Sequence, residues 1–218
     1  MPFFTSEAII IALHQLISMA FKQAYRLARR KAIGFLASIG HLQINNAAIN
    51  SAVKEEFSKE FLSAKVFHGT TANGFHYAFA VAENDGKHRF GVFDAKNGLR
   101  VGIANLTPSE KGYKIDFGEV NHAEIHPAHR GRGIYSCVMA LLMKTAHENN
   151  AGFAGRPVNN LAMRQVLQSF GWKIHEKPAP TKTRAILSAK LEDFNHEKIA
   201  HQLPDATGFP SARTISFK

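Results

Sequence analysis

Three short alternating runs joined by two turn dipeptides constrain this chain more than any other feature. Residues 74–83, 87–94 and 99–106 are rich in aromatic and β-branched side chains, and Asp85-Gly86 and Asn97-Gly98 separate them. Both dipeptides supply the positive-φ positions that tight hairpins require, so the middle of the chain reads as an antiparallel meander. A loop with Pro108 and Gly112 leads to a fourth strand-like run at 113–126. The period then changes, giving a helix at 134–149, a short strand near 151–158, a helix at 161–170, and strands at 172–176 and 184–191. Residues 192–218 are polar and weakly patterned, which predicts an irregular tail.

Two helices precede the meander. Residues 6–33 form an amphipathic pattern ending at Gly34, with Ser6 as N-cap. Gln15, Ser18, Lys22, Arg26 and Arg29 make a polar stripe, and Leu13, Ile17, Ala20, Ala24, Leu27 and Ala28 make the apolar one. The second helix follows Asn45-Asn46 and carries Ile49, Val53, Phe57 and Phe61 on one face. The chain therefore divides into an N-terminal helical extension (1–63), a mixed α/β domain (64–191) and a C-terminal tail (192–218).

The 218 residues are 45% hydrophobic, enough for a core and too many for a disordered or collagenous chain. A single cysteine, Cys137, excludes a disulfide framework and suits a reducing, cytoplasmic setting. The longest apolar run, Ala8 to Leu13, is far short of the roughly 20 residues that span a bilayer. The formal charge of +10 is concentrated at the two ends: residues 1–53 carry +4, residues 121–218 carry +6, and the middle is neutral. An anionic ligand or partner is expected, with nucleic acid and an anionic membrane both open.

The most chemically informative stretch is Glu124-Ile-His-Pro-Ala-His-Arg-Gly-Arg-Gly-Ile134. A strand runs into Pro127, and a basic, glycine-rich turn then opens a helix. Glycines let backbone N–H groups converge, and the helix N-terminus adds partial positive charge. Arg130 and Arg132 add two cations. Such a turn is suited to a pyrophosphate. It lacks the Gly-Lys-Ser/Thr of a Walker A loop and the three spaced glycines of a dinucleotide fingerprint.

These residues resemble the GNAT superfamily of acyl-CoA-dependent N-acyltransferases. The family's Val/Ile-x-Pro strand end is matched by Ile125-His126-Pro127, and its Gln/Arg-x-x-Gly-x-Gly/Ala turn by Arg130-Gly131-Arg132-Gly133-Ile134-Tyr135. A second block, Asn160 to Trp172, is similar to the family's Asn-x-x-Ala/Ser…Gly-Phe helix. The resemblance covers about residues 65–191. It implies a mixed, mostly antiparallel sheet with helices on both faces and a reaction of EC class 2.3.1, acetyl transfer from acetyl-CoA to a primary amine on a protein or small molecule. It further implies that acetyl-CoA lies in a splay between the strand ending near Ile125 and the strand near Ala154. Ile125 and the Arg130, Gly131, Arg132, Gly133, Ile134 and Tyr135 backbone would bind this co-substrate, and Asn160 would contact its pantetheine arm. Two departures stand out. Tyr135 replaces a small residue, and Leu167 replaces the tyrosine that protonates the leaving thiolate in many members.

Deprotonating a lysine amine at pH 7 costs about 4–5 kcal/mol, whereas an α-amine costs only about 1. A lysine acetylase therefore needs a base. Glu119, six residues before Ile125 and on the same strand face by parity, is the candidate; the histone-acetylating branch carries its glutamate at that offset. Glu124 and His122 are weaker alternatives.

No metal site is expected: His122, His126 and His129 have helical spacing, but residues four apart in a strand stand about 13 Å apart. Cys137 reads as core. The basic N-terminal helix reads as packing on the domain or in a homodimer or larger assembly, with an anionic membrane as the alternative. If the departures at Tyr135 and Leu167 abolish catalysis, the domain becomes a structural component, for example of a virion or a membrane-associated complex, anchored by that helix.

Overall fold

The computed structural model describes residues 6–40, 42–116, 125–158, 160–176 and 185–217. Helix α1 (Ser6–Ser38) and helix α2 (Asn46–Phe57) precede five strands: β1 (Ser63–Thr70), β2 (His76–Asn84), β3 (Lys87–Asp94), β4 (Arg100–Ser109) and β5 (Gly112–Asp116). A 3-10 turn (Pro127–His129) leads into α3 (Ile134–Glu148), β6 (Phe153–Val158), α4 (Leu161–Ser169), β7 (Lys173–Glu176) and β8 (Ala185–Ala189). The chain then forms α5 (His196–Gln202) and β9 (Arg213–Ser216).

The nine strands among the described residues join one sheet in the order β7-β8-β6-β5-β4-β3-β2-β1-β9. The β2–β3 hairpin turns where the sequence predicts it, with Asp85 at φ 50° and Gly86 at φ 73°. Every pairing is antiparallel except β5 with β6. Those two strands meet at one register pair, Tyr113 opposite Phe153, close to where each begins. The architecture is the mixed, mostly antiparallel α/β sheet that the residues imply.

Both faces of the sheet are covered. On one, α3, α4 and α5 bury Cys137, Met139, Leu142, Met143, Leu167 and Ile199 against Tyr77, Phe79, Phe90 and Val92. On the other, α2 buries Ile49, Val53 and Phe57 against Val66, Ala78, Ala80 and Phe93. Period-2 alternation along β2 sends Tyr77 and Phe79 one way and Ala78 and Ala80 the other. Asn45 caps α2, its Oδ1 accepting from the Ala48 N–H at 3.0 Å.

Three expectations need correction. Gly34 does not end α1; the helix runs on to Ser38, and Gly34 is buried where the Thr207 carbonyl approaches too closely to admit a Cβ. The C-terminal segment is not an irregular tail, because α5 packs on α3 and β9 pairs with β1 from Ser63 opposite Ser216 to Val66 opposite Arg213. The apolar stripe of α1 is not packed on the domain. Leu13, Ile17 and Leu27 are 52–62% exposed. Among the described residues, no helix is long and apolar enough to cross a membrane.

Candidate functional site

The glycine-rich turn is built against β4 and the β1–β2 loop. The His126 N–H donates to the Val101 carbonyl at 3.0 Å, which sets the chain beside β4. Gly102 makes room there: a Cβ on it would stand 3.0 Å from Ile125 Cδ1. Pro127 opens the 3-10 turn, and the Arg130 N–H closes it on the Pro127 carbonyl. Gly131 and Gly133 then take φ of 73° and 80°, a left-handed conformation that disfavours other side chains.

Two side chains from the β1–β2 loop fix the orientation of this turn. Asn73 Nδ2 donates to the Gly131 carbonyl at 3.1 Å, and Thr71 Oγ1 donates to the Arg132 carbonyl at 2.7 Å. In a trans peptide the N–H points opposite to the carbonyl. The N–H groups of Arg132 and Gly133 are thereby turned away from that loop. No side chain caps α3, and no acid stands in its first turn, so the partial positive charge at the start of the helix is not offset there.

A cavity of about 660 Å³ opens at this point. Gly131, Gly133, Arg130, Ser136 and Asn73 form its polar wall, with Asn160 across from them on α4. Ile125, Ile134, Met163 and Val166 form its apolar wall. The volume falls within the roughly 300–1,000 Å³ of ligand pockets. The shape suits a molecule with an anionic end and a less polar arm.

Seven of the eight residues that the resemblance assigns to the co-substrate line the cavity: Ile125, Arg130, Gly131, Gly133, Ile134, Tyr135 and Asn160. Arg132 belongs to the turn, but its guanidinium stacks over Phe75 at 5.2 Å and reaches the Tyr77 hydroxyl. Its backbone serves the turn, and its side chain serves the β1–β2 loop. Arg130 folds its Nε back onto the Ile125 carbonyl at 3.3 Å. Asn160 commits its Oδ1 to the Met163 N–H at 3.1 Å as the N-cap of α4, which leaves its NH₂ group for a ligand.

Tyr135 does not close the mouth. Its ring packs on the core, its hydroxyl is buried, and burial raises its pKa well above the ordinary phenol value. Leu167 is fully buried, so α4 presents no proton donor at that position. Cys137 is also fully buried one turn into α3, and burial pushes its thiol pKa up; it is core.

Glu119, with His122 and Glu124, lies outside the described residues. His129 takes a place the sequence did not suggest. It is buried in the cavity wall and shares a hydrogen bond of 3.1 Å between its Nδ1 and the Tyr77 hydroxyl. Burial first, and the Arg132 charge second, hold its pKa below the usual histidine value. Among the described residues, no three His, Cys, Asp or Glu side chains converge as a metal site would require. Asn73 and Thr71 were not legible either, since they lie about sixty residues upstream of the turn they hold.

No family model matches the chain, and no curated protein matches it significantly. Among solved structures, it is similar to a Bordetella pertussis protein described as of the GnaT acetyltransferase family, at 14% identity and a TM-score of 0.37. That match covers 47% of this chain and 65% of the other, so the chain spans less than two thirds of its length. A nourseothricin acetyltransferase is similar at 15% identity and a TM-score of 0.38, over 60% of this chain and 88% of the other. Likenesses this partial leave the functional reading to the geometry of the site.

Proposed function

We propose that the protein is an N-acetyltransferase that takes an acetyl group from acetyl-CoA and transfers it to a primary amine of a protein or small molecule. The observation that carries this reading is the turn 130–135: two left-handed glycines, carbonyls tied back by Asn73 and Thr71, and an uncapped helix start, all on one cavity that reaches Asn160. Amides of this kind bind a diphosphate without side-chain reorganisation. Arg130 supplies the charge at the rim, Asn160 NH₂ a donor for an amide-bearing arm, and Met163 and Val166 its apolar contact. The co-substrate supplies an activated thioester, whose C–S bond breaks as the C–N bond to the amine forms. Glu119 is the proposed base, needed most where the acceptor is a lysine. The single parallel pair between β5 and β6 supports a splay there for the thioester end.

Calorimetric titration with acetyl-CoA tests the proposal. Sub-millimolar binding is expected, with a loss of more than tenfold in Gly131→Asp. That substitution places a carboxylate in open space beside the turn and strains a φ of 73°. Absence of binding to any acyl-CoA overturns it.

A second reading keeps the fold and drops the chemistry: the domain is a component of an assembly, anchored by α1. The buried Leu167 and the exposed apolar face of α1 favour it. Turnover of acetyl-CoA with any amine decides against this reading.

A further inference from the structure

Helix α1 presents an apolar face that the described residues leave largely exposed. Leu13, Ile17, Phe21, Tyr25, Leu27 and Phe35 are between 52% and 75% exposed. At 100° per residue these side chains, with Ala20, Ala24, Ala28 and Ala32 among them, occupy about half of the helix circumference. Among the described residues, the opposite half meets the domain near its C-terminal end, through Arg29 over Phe75, Arg30 beside Asp205, and Gly34 against Thr207. From 13 to 28 every residue but Ser18 is exposed, so this half of the helix stands clear of the sheet. Most helical stability in proteins comes from packing of an amphipathic face, and this segment has none from the described residues.

We propose that this face is a homodimer interface, in which α1 of one copy lies antiparallel on α1 of a second copy, with the two-fold axis at Ala24. The inference is independent of the acetyltransferase reading. Its first support is area. Six large side chains at on the order of 100 Å² each, with the alanines, give about 800 Å², the share one partner contributes to a standard interface.

The second support is self-complementarity. A two-fold at Ala24 places Leu13 opposite Phe35 and Ala20 opposite Ala28, with Phe21 and Leu27 on the two flanks of the seam. Large residues meet at the ends and flanks, and small ones meet at the centre where the backbones approach. Ile17 meets the stem of Lys31, the one charge on this face. The free N-terminal half of each helix is then covered by the C-terminal half of its partner.

The third support is where the cations point. Lys22, Arg26, Arg29 and Arg30 fall on the other half of the helix, away from the two-fold, where two copies do not force them together. Arg29 and Arg30 are already engaged by the domain. That weakens the case for an anionic membrane as the covering surface.

The sole natural cysteine is buried in α3, so cysteines introduced into α1 report alone. Sedimentation velocity of the full chain at micromolar concentration should give twice the 24.1 kDa chain mass. Phe21→Asp/Leu27→Asp should return it to the monomer mass with an unchanged near-ultraviolet circular dichroism spectrum. Under mild oxidation, chains carrying Leu13→Cys should link to chains carrying Phe35→Cys and not to one another, and Ala24→Cys should link to itself. A monomer in solution overturns the proposal, as does a monomer that sediments with phosphatidylserine vesicles. Linking of Leu13→Cys to itself overturns the antiparallel arrangement.

Discussion

Helices α1 and α3 carry similar apolar periodicity and meet opposite fates. In α3, Cys137, Val138, Met139, Ala140, Leu142 and Met143 are all buried against the sheet. In α1, Gly34 is the one residue buried among those whose burial is described. A stripe at helical spacing says that a face needs a partner; it does not say that the partner is in the same chain. For α3 the connection to the turn at 130–133 sets the helix down on the sheet. For α1 a lone buried glycine and two arginines fix the last turns, and residues 13–28 stand clear.

That contrast can be broken or sharpened by experiment. Leu142→Asp puts an unpaired carboxylate into the fully buried face of α3 and should cost about 4–5 kcal/mol or more, read as loss of the cooperative urea transition. The side of the sheet covered by α2 should respond to acid instead. His68 and His76 stand 3.2 Å apart, and burial holds both pKa values at about 4. Between pH 6.5 and 4 the unfolded chain takes up protons that these two rings refuse, so stability falls as the pH drops through that window. With allowance for the partly exposed His76, the fall should be about 2–3 kcal/mol, and His68→Gln/His76→Gln should flatten it in pH-dependent thermal melts.

Asn160→Ala removes the α4 cap at the cavity and should cost about 1 kcal/mol of stability, with severalfold weaker acetyl-CoA binding in the same preparation. The smallest effect is expected on α1. Phe21→Asp, at 75% exposure, should change the stability of the monomer by no more than about 0.5 kcal/mol in chemical denaturation at submicromolar protein. A large loss there would mean that α1 is held by its own domain.

The parts of the fold that were legible are those specified locally. Asp85-Gly86 dictates its hairpin from two residues, and Asn45 announces α2 by capping it. Strand β9 was not legible, because Arg213-Thr-Ile-Ser has no pattern of its own and is a strand only through its pairing with β1, some 150 residues earlier. The site divides in the same way. Pro127 and the 130–133 turn form a contiguous signal. Asn73, Thr71 and Tyr77 act on that turn from β2 and the loop before it, and no spacing rule connects them. The inward ring of Tyr135 depended on core packing that a sequence does not display.

The ring of Phe75 lies between two guanidinium groups, Arg29 of α1 at 4.2 Å and Arg132 of the turn at 5.2 Å. It is a shared washer between the projecting helix and the loop that would grip phosphate. If a tilt of the helix moves this ring, the seat beneath Arg132 moves with it, and a tightening of the loop acts back on the helix. Reciprocity then requires that any bias of ligand strength by association of the chains be returned in full as a bias of association by ligand.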